Sequence, residues 1–421
     1  MSFFAYDEKD ESSRQERFVQ DVSMNLSSRS PGSAGSGISP IWVVAAGLAI
    51  IFGGLFIGSF APAILPPQAS AESRQIDELF RFMLAIGGSI FLLVQGMLVY
   101  SVIRFRAKPG DTSDGAPIHG NTTLEFVWTI IPAIIVTVIA IYSVSVWNST
   151  HSIKPNEQTV GAVGARYAWT FNYQLDANNL PSGVTLDELE PNIRASVENG
   201  GLTLSSTQLH TWVNQPVAVS MNTQDVNHAF WIPGMRVKQD LLAGRTTEIR
   251  FTPIEAGVYR IVCAELCGAG HGNMAGSVDV NGNLVGAWLI VHETEDAFLS
   301  EFFDPLARAA LFPPEDPVER GRMILASGVY PCASCHIVDD LGWNGAVGPN
   351  LNNIGNRAAT RVAGETAEEY LHISIRMPGA YLVPGYNNLM PQFNAEPGQP
   401  NYMSDDDLDA IVAYLLTLKT S

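Results

Sequence analysis

Ile41 to Leu65 is a run of 25 residues without one charged side chain. At about 1.5 Å of rise per residue it spans a bilayer core of about 30 Å. Backbone groups in lipid must be bonded within their own segment, so such a run has to be helical. Two more apolar spans follow, from about Phe80 to Ile103 and from about Phe126 to Trp147. Pro132 interrupts the last, which membrane helices tolerate. Between them lie Arg104, Arg106 and Lys108, and the positive-inside rule places that loop in the cytoplasm and everything after Trp147 outside. Residues 72–148 therefore read as a transmembrane helical hairpin, of two or three helices depending on the first span, 41–65. That span ends near Ala69-Ser70-Ala71, an A-x-A pattern a signal peptidase could cut. Its length, and the long mixed-charge segment before it, favour retention as a helix. Residues 1–40, polar and rich in Ser and Gly, read as a disordered cytoplasmic tail.

Downstream the period changes. Tyr167 to Tyr173 alternates with period two, and Pro216–Met221, Thr246–Phe251, Gly257–Cys263 and Gly276–Val280 are further strand candidates between Gly, Pro and Asn punctuation. Residues 149–295 thus read as an all-β sandwich or barrel, with 175–208 as a long polar loop of no assigned structure. Residues 296–316 read as a linker. From Pro317 to Ser421 the chain is helical. Its last helix starts at Ser404 as N-cap before three aspartates, and spaces Leu408, Ile411, Val412 and Leu415 along one face. Forty-two acidic against 24 basic residues give a net charge of −18. That disfavours nucleic acid as a ligand and favours a basic partner.

Four cysteines are too few for a disulfide scaffold, and their spacing says more. Cys263, Cys267, His271 and Met274 fall within twelve residues of a Gly-rich loop after a strand. Thiolate, imidazole and a soft thioether together select copper. Two cysteines allow both sulfurs to bridge two copper ions, each of which then needs its own terminal nitrogen; His228, from a separate turn, supplies the second. A disulfide would leave the histidines and Met274 unexplained, and zinc rarely takes methionine. The other pair sits in Cys332-Ala333-Ser334-Cys335-His336, a C-x2-C-H haem c attachment motif in which two thioethers anchor the porphyrin and the histidine meets the iron.

With these motifs the chain resembles subunit II of haem-copper cytochrome c oxidases, over roughly residues 75–421. The family's CuA pattern C-x-E-x-C-x3-H-x2-M is matched at every position from Cys263 to Met274. The resemblance implies a cupredoxin-like CuA domain in which Cys263 and Cys267 bridge the coppers and His228 and His271 terminate them. Met274 and the Glu265 carbonyl would be weak ligands, and the Glu265 carboxylate would hold a magnesium or manganese ion shared with subunit I. Leu124 to Pro132 looks like the start of the family's last membrane helix, which makes Glu125 a candidate for the entrance of the proton channel in subunit I. Tyr167 stands where the family usually carries a tryptophan that takes electrons from soluble cytochrome c. The C-terminal segment resembles an all-α class I cytochrome c: Pro349 in Gly348-Pro349-Asn350-Leu351 would accept from His336, and Met390 in Asn388-Leu389-Met390-Pro391 would be the sixth ligand, ahead of Met377 and Met403.

The expectation is an electron-entry subunit of a caa-type terminal oxidase, a cytochrome-c oxidase whose oxygen-reducing site lies in subunit I. It would sit multi-pass in the bacterial plasma membrane, with both redox domains on the periplasmic or outer face. Subunits I and III and membrane lipid would be its partners, and a cytochrome or small copper protein its external donor. No membrane span contains histidine, so this chain cannot itself hold the haems and copper of an oxygen-reducing site. The alternative is a membrane-tethered module that serves another respiratory reductase. His119, His151, His210, His292 and His372 read as surface or strand-end residues unconnected to one another.

Overall fold

The computed structural model describes residues 39–107, 109–110, 120–278, 282, 284–396 and 401–419. The tail reading for residues 1–38, together with Lys108 and His119, lies outside them. Helices α1 (Pro40–Ser59), α2 (Ala71–Arg104) and α3 (Thr122–His151) are each long and apolar enough to cross a membrane. Asn121 caps α3 by accepting from the Leu124 N–H, and Pro132 lies inside that helix without ending it. α1 and residues 84–104 of α2 form one compact unit. Within it Gly54 lies against Ala85 and Ser89, where any side chain would collide. Small residues let membrane helices approach this closely.

The second unit holds residues 60–83 and the chain from α3 onward. Its β domain contains a five-stranded sheet, ordered β3-β2-β1-β5-β8, built from β1 (Gln158–Ala165), β2 (Ala168–Leu175), β3 (Leu202–Ser206), β5 (Val217–Thr223) and β8 (Thr247–Phe251). Two three-stranded sheets complete it: β10-β6-β7, from β6 (His228–Ile232), β7 (Val237–Leu241) and β10 (Val262–Cys263), and β4-β13-β9, from β4 (Leu209–Trp212), β9 (Gly257–Arg260) and β13 (Trp288–His292). A short β11 (Ser277–Val278) and β12 (Leu284–Val285) pair beside them. β1 runs parallel to β5 and β4 parallel to β13, and the other pairs are antiparallel. The alternation read in β2 holds: Trp169, Phe171, Tyr173 and Leu175 are all buried on one face.

Two segments differ from their sequence reading. Residues 175–208 are not one loop, because they contain the helix α4 (Pro191–Glu198) and the edge strand β3. Val197 and Leu204 point into the barrel core, which is enough apolar surface to order an otherwise polar stretch. The linker 296–316 is mostly the helix α5, residues 295–311. Thr294 caps it, and Phe298, Phe303, Ala307 and Leu311 bury in the same core.

The A-x-A segment is woven into this domain. Ala69 and Ser70 are fully buried. Ala69 donates to the Gly234 carbonyl (3.0 Å) and accepts from Ile254 N–H (2.9 Å), and Ala71 donates to Thr252 (2.9 Å). Arg236 grips both oxygens of Asp77 in the first turns of α2, at 2.8 and 3.0 Å, and bonds the Pro66 carbonyl. Lys154 pairs with the buried Glu72. These contacts carry α2 well beyond its apolar stretch at the N-terminal end.

Residues 317–419 fold around α6 (Pro317–Ser327), α7 (Ala367–Arg376) and α8 (Asp405–Thr417). Ser404 caps α8 as the sequence indicates, accepting from Asp407 N–H at 3.1 Å, and Leu408, Ile411, Val412 and Leu415 are buried. α6 crosses α8 at Gly321, which abuts the Ala410 carbonyl so tightly that only glycine fits.

Candidate metal centres

The first centre is assembled by register. β10 pairs with β6 so that Cys263 faces Phe230, which brings His228 at the start of β6 beside the cysteine loop. One ligand atom each from His228, Cys263 and Cys267 lie within 4.8 Å of one another. His228 is fully buried, and its Nε2 donates to Asp225 Oδ1 (2.9 Å), leaving Nδ1 turned to Cys263 Sγ at 3.9 Å. The turn His271–Met274 brings His271 Nδ1 to 3.5 Å and Met274 Sδ to 3.3 Å from Cys267 Sγ. Cys263 Sγ lies 3.1 Å from the Glu265 carbonyl, whose carboxylate is exposed. All six residues named from the sequence thus converge.

The electrostatics suit a cation. Burial and then the neighbouring Cys263 push the Cys267 thiol up to about 12. Cys263 goes the other way: burial opposes its thiolate, but the His228 hydrogen bond and the Ala229 and Glu265 backbone hold it below the usual thiol range. Burial works against a charged His228, yet Asp225 and Cys263 outweigh it and raise that ring to about 8. Two adjacent sulfurs penalise each other as thiolates until a metal charge compensates them. All four cysteines are free. The donor set, buried sulfur with imidazole, fits copper.

Sequence reasoning gave no role to two supporting residues. Asp225 fixes the ring orientation of His228 and is itself held by the Arg166 backbone N–H (2.9 Å) and side chain (3.0 Å). Trp169 donates from Nε1 to the Met274 carbonyl (3.0 Å) and meets the His228 ring edge-on. The i, i+3 spacing of Asp225 and His228 was the available signal for the first; nothing local signals the second. Tyr167 is buried against Gly268 and Gly270, where a side chain at either glycine would strike its ring.

In the second centre, Cys332 lies in the short turn Pro331–Ser334 and Cys335 directly follows it. His336 Nδ1 donates to the Pro349 carbonyl at 2.7 Å, the contact expected from the sequence, which leaves Nε2 free of that bond. Gly348 packs on the imidazole, where a Cβ would lie 2.7 Å from Cε1. A mostly apolar cleft is lined by Cys335, His336, Pro349, Leu351, Tyr370 and Met390 among others, so the attachment motif and Met390 face one space. Met403 is instead 2% exposed in the helical core, and Met377 is 50% exposed. Burial pushes the Cys332 thiol, with its neighbour Cys335, up to about 12, as suits an alkylated rather than an ionised sulfur.

His210 and His292 correct the view of unconnected histidines. Parallel pairing of β4 with β13 brings them together: His210 Nδ1 is 3.1 Å from His292 Nε2, and His292 Nδ1 is 3.2 Å from Glu301 in α5. Both rings are buried, and that of His210 stacks on Phe302 at 3.7 Å. Glu125 is in the exposed first turn of α3. His151 stacks on Trp147, and His372 lies 3.5 Å from Asp409.

Residues 59–146 match the family model of the cytochrome c oxidase subunit II transmembrane domain, 158–280 that of its periplasmic domain, and 318–419 that of cytochrome c. The chain is 35% identical to cytochrome c oxidase subunit 2 of Synechocystis over 50% of its own length and 70% of that protein. It is 32% identical to the subunit 2 of Thermostichus vulcanus, over 61% of this chain and 83% of that one. A third, from Alkalihalophilus pseudofirmus, is 26% identical over 78% of this chain and 83% of the relative. The two centres, the helices before them and these likenesses agree: the chain belongs to the cytochrome c oxidase subunit II family, as a membrane-bound partner of the haem-copper subunit I that carries copper and haem c domains outside the membrane.

Proposed function

We propose that this chain is the electron-entry relay of its oxidase. When bound, the haem and the copper pair supply one-electron chemistry, taking electrons from an external cytochrome or small copper protein and delivering them to subunit I, where oxygen is reduced and protons are pumped. Cys332 and Cys335 would hold the haem by thioethers, and His336 and Met390 would hold its iron; methionine with histidine raises the potential relative to two histidines, which would suit a donor to copper. Cys263, Cys267, His228, His271 and Met274, with the Glu265 carbonyl, would hold the copper pair. Asp225 and Trp169 hold the ligands rigid, so little rearranges as charge comes and goes. The Glu265 carboxylate would share a magnesium or manganese ion with subunit I, and Glu125 would admit protons to it. Subunit III and a bacterial plasma membrane complete the assembly.

The observation that carries this reading is proximity. Cys335 packs on the buried cluster of the copper domain, so the two domains meet at the haem-attachment motif. Fusion makes the transfer intramolecular, at high effective concentration. The test is EPR with metal and haem quantitation on the purified complex, followed by flash reduction of the haem. Two coppers per haem c sharing one unpaired electron, reduced as the haem reoxidises, is the expected result. A single-copper signal, or a haem that stays reduced while the copper stays oxidised, overturns it.

A further inference from the structure

Each centre has a loop that reaches the other. Asn273 lies between His271 and Met274, and its backbone N–H is tied to the Gly270 carbonyl at 2.9 Å. Ser334 lies between the two haem-attaching cysteines, with its hydroxyl tied to the Pro331 carbonyl at 2.6 Å. The Asn273 side-chain amide donates to the Ser334 carbonyl at 3.3 Å. This hydrogen bond therefore joins the residue beside a copper-site thioether to the residue beside a haem-attaching cysteine.

The surrounding packing brings the two loops together. Cys335 and Val347 of the helical domain rest against the buried cluster of the barrel. Gly328, the left-handed C-cap of α6 (φ +72°), lies against Thr207 in the turn between β3 and β4, where any side chain would collide. On its far side, Met274 is held by the Trp169 indole. The amide of Asn273 is thus a polar crossing between the two motifs, beside the packing of Cys335, Val347 and Gly328.

We infer that Asn273 is the positioning residue for internal electron transfer: its amide holds the haem-attachment turn against the copper loop and is the contact across which the electron passes. This rests on the relay reading above. In the step one electron is lost on the His336 side and gained on the Cys263–Cys267 side; no bond forms or breaks and no proton moves. Asn273 is exposed, and among the described residues its side chain makes this one hydrogen bond, so its replacement leaves folding intact.

The experiment compares Asn273→Asp, which turns the donor into an acceptor facing a carbonyl, with Asn273→Gln, which keeps a donor. Both are made in the full chain within the oxidase complex. After flash reduction of the haem, N273D is expected to reduce copper about fivefold or more slowly than wild type, the population shift that loss of one hydrogen bond produces, while N273Q recovers most of the rate. The optical and EPR spectra of both centres stay unchanged; because the added carboxylate of N273D also lowers the potentials, N273L, neutral and without a donor, is run beside it and is expected to slow the transfer as much with both potentials unchanged. A readout independent of turnover is amide hydrogen exchange across residues 270–274 and 331–336 in the copper-free chain, which rises in N273D. Wild-type rate and exchange in N273D overturn the inference and leave the relay standing. No transfer in the wild type overturns the relay, and the role of Asn273 with it.

Discussion

Replacing His210 with glutamine is expected to remove a specific pH dependence of stability. The ring is buried beneath α5, and burial, reinforced by the neighbouring His292, lowers its pKa to about 3. Glu301 lies beyond His292, while Tyr173 bonds the His210 backbone and Phe302 covers its face. In the unfolded chain the same ring titrates near 6.5. Between these values the unfolded state binds more protons, so stability rises with pH: the contribution is complete above about 6.5 and is lost as pH falls toward 3. From pH 6.5 to 5.0 the loss is about 2 kcal/mol, at ~1.36 kcal/mol per unit. For a unit of this size that corresponds to roughly 4–8 °C in Tm. The assay is thermal unfolding followed by tryptophan fluorescence at pH 7.5 and 5.0, at equal metal loading. H210Q should start less stable at pH 7.5 yet fall by several degrees less than wild type. An equal fall in both proteins refutes the argument that a buried neutral His210 carries this slope.

Arg236→Met leaves Asp77 buried without its bidentate partner and should cost about 3–5 kcal/mol, much of which the double variant with Asp77→Asn restores; a double-mutant cycle on Tm checks it. Because Pro66, Ala69 and Ser70 supply bonds to the folded copper domain, the mature chain should retain them, and an intact mass that begins at Glu72 would contradict this. Met390→Ala should abolish the axial thioether signature in the haem spectrum and lower its potential, whereas Met377→Leu should leave both unchanged, since Met377 stands away from the cleft in solvent.

The ligands were legible in the sequence because metal chemistry constrains residue type and spacing locally. Cys263 to Met274 and Cys332 to His336 each occupy a single loop, so their chemistry survives without knowledge of the fold. The membrane helices were legible for a similar reason: a bilayer demands length and apolarity, both countable along the chain. α4 and β3 were not, because their stretch is polar and ordered only by a few side chains such as Val197 and Leu204 that find a distant core, and α5 was not, because its acidic start and the prolines after it read as a linker. The pairing of His210 with His292 was hidden by a separation of 82 residues that only parallel strand register closes.

The sequence by itself determined the membrane crossings, the two donor sets and hence the class of metal each can hold. Only the tertiary structure decided what acts on those donors: that Asp225 orients His228, that Trp169 secures Met274, that Met403 belongs to a core while Met390 faces the cleft, and that Asn273 reaches Ser334. The reason is physical. A ligand set follows from the chemistry of neighbouring residues along the chain, whereas a hydrogen-bond partner or a packing neighbour follows from which strands pair and which helices cross, and those are set by burial summed over the whole domain.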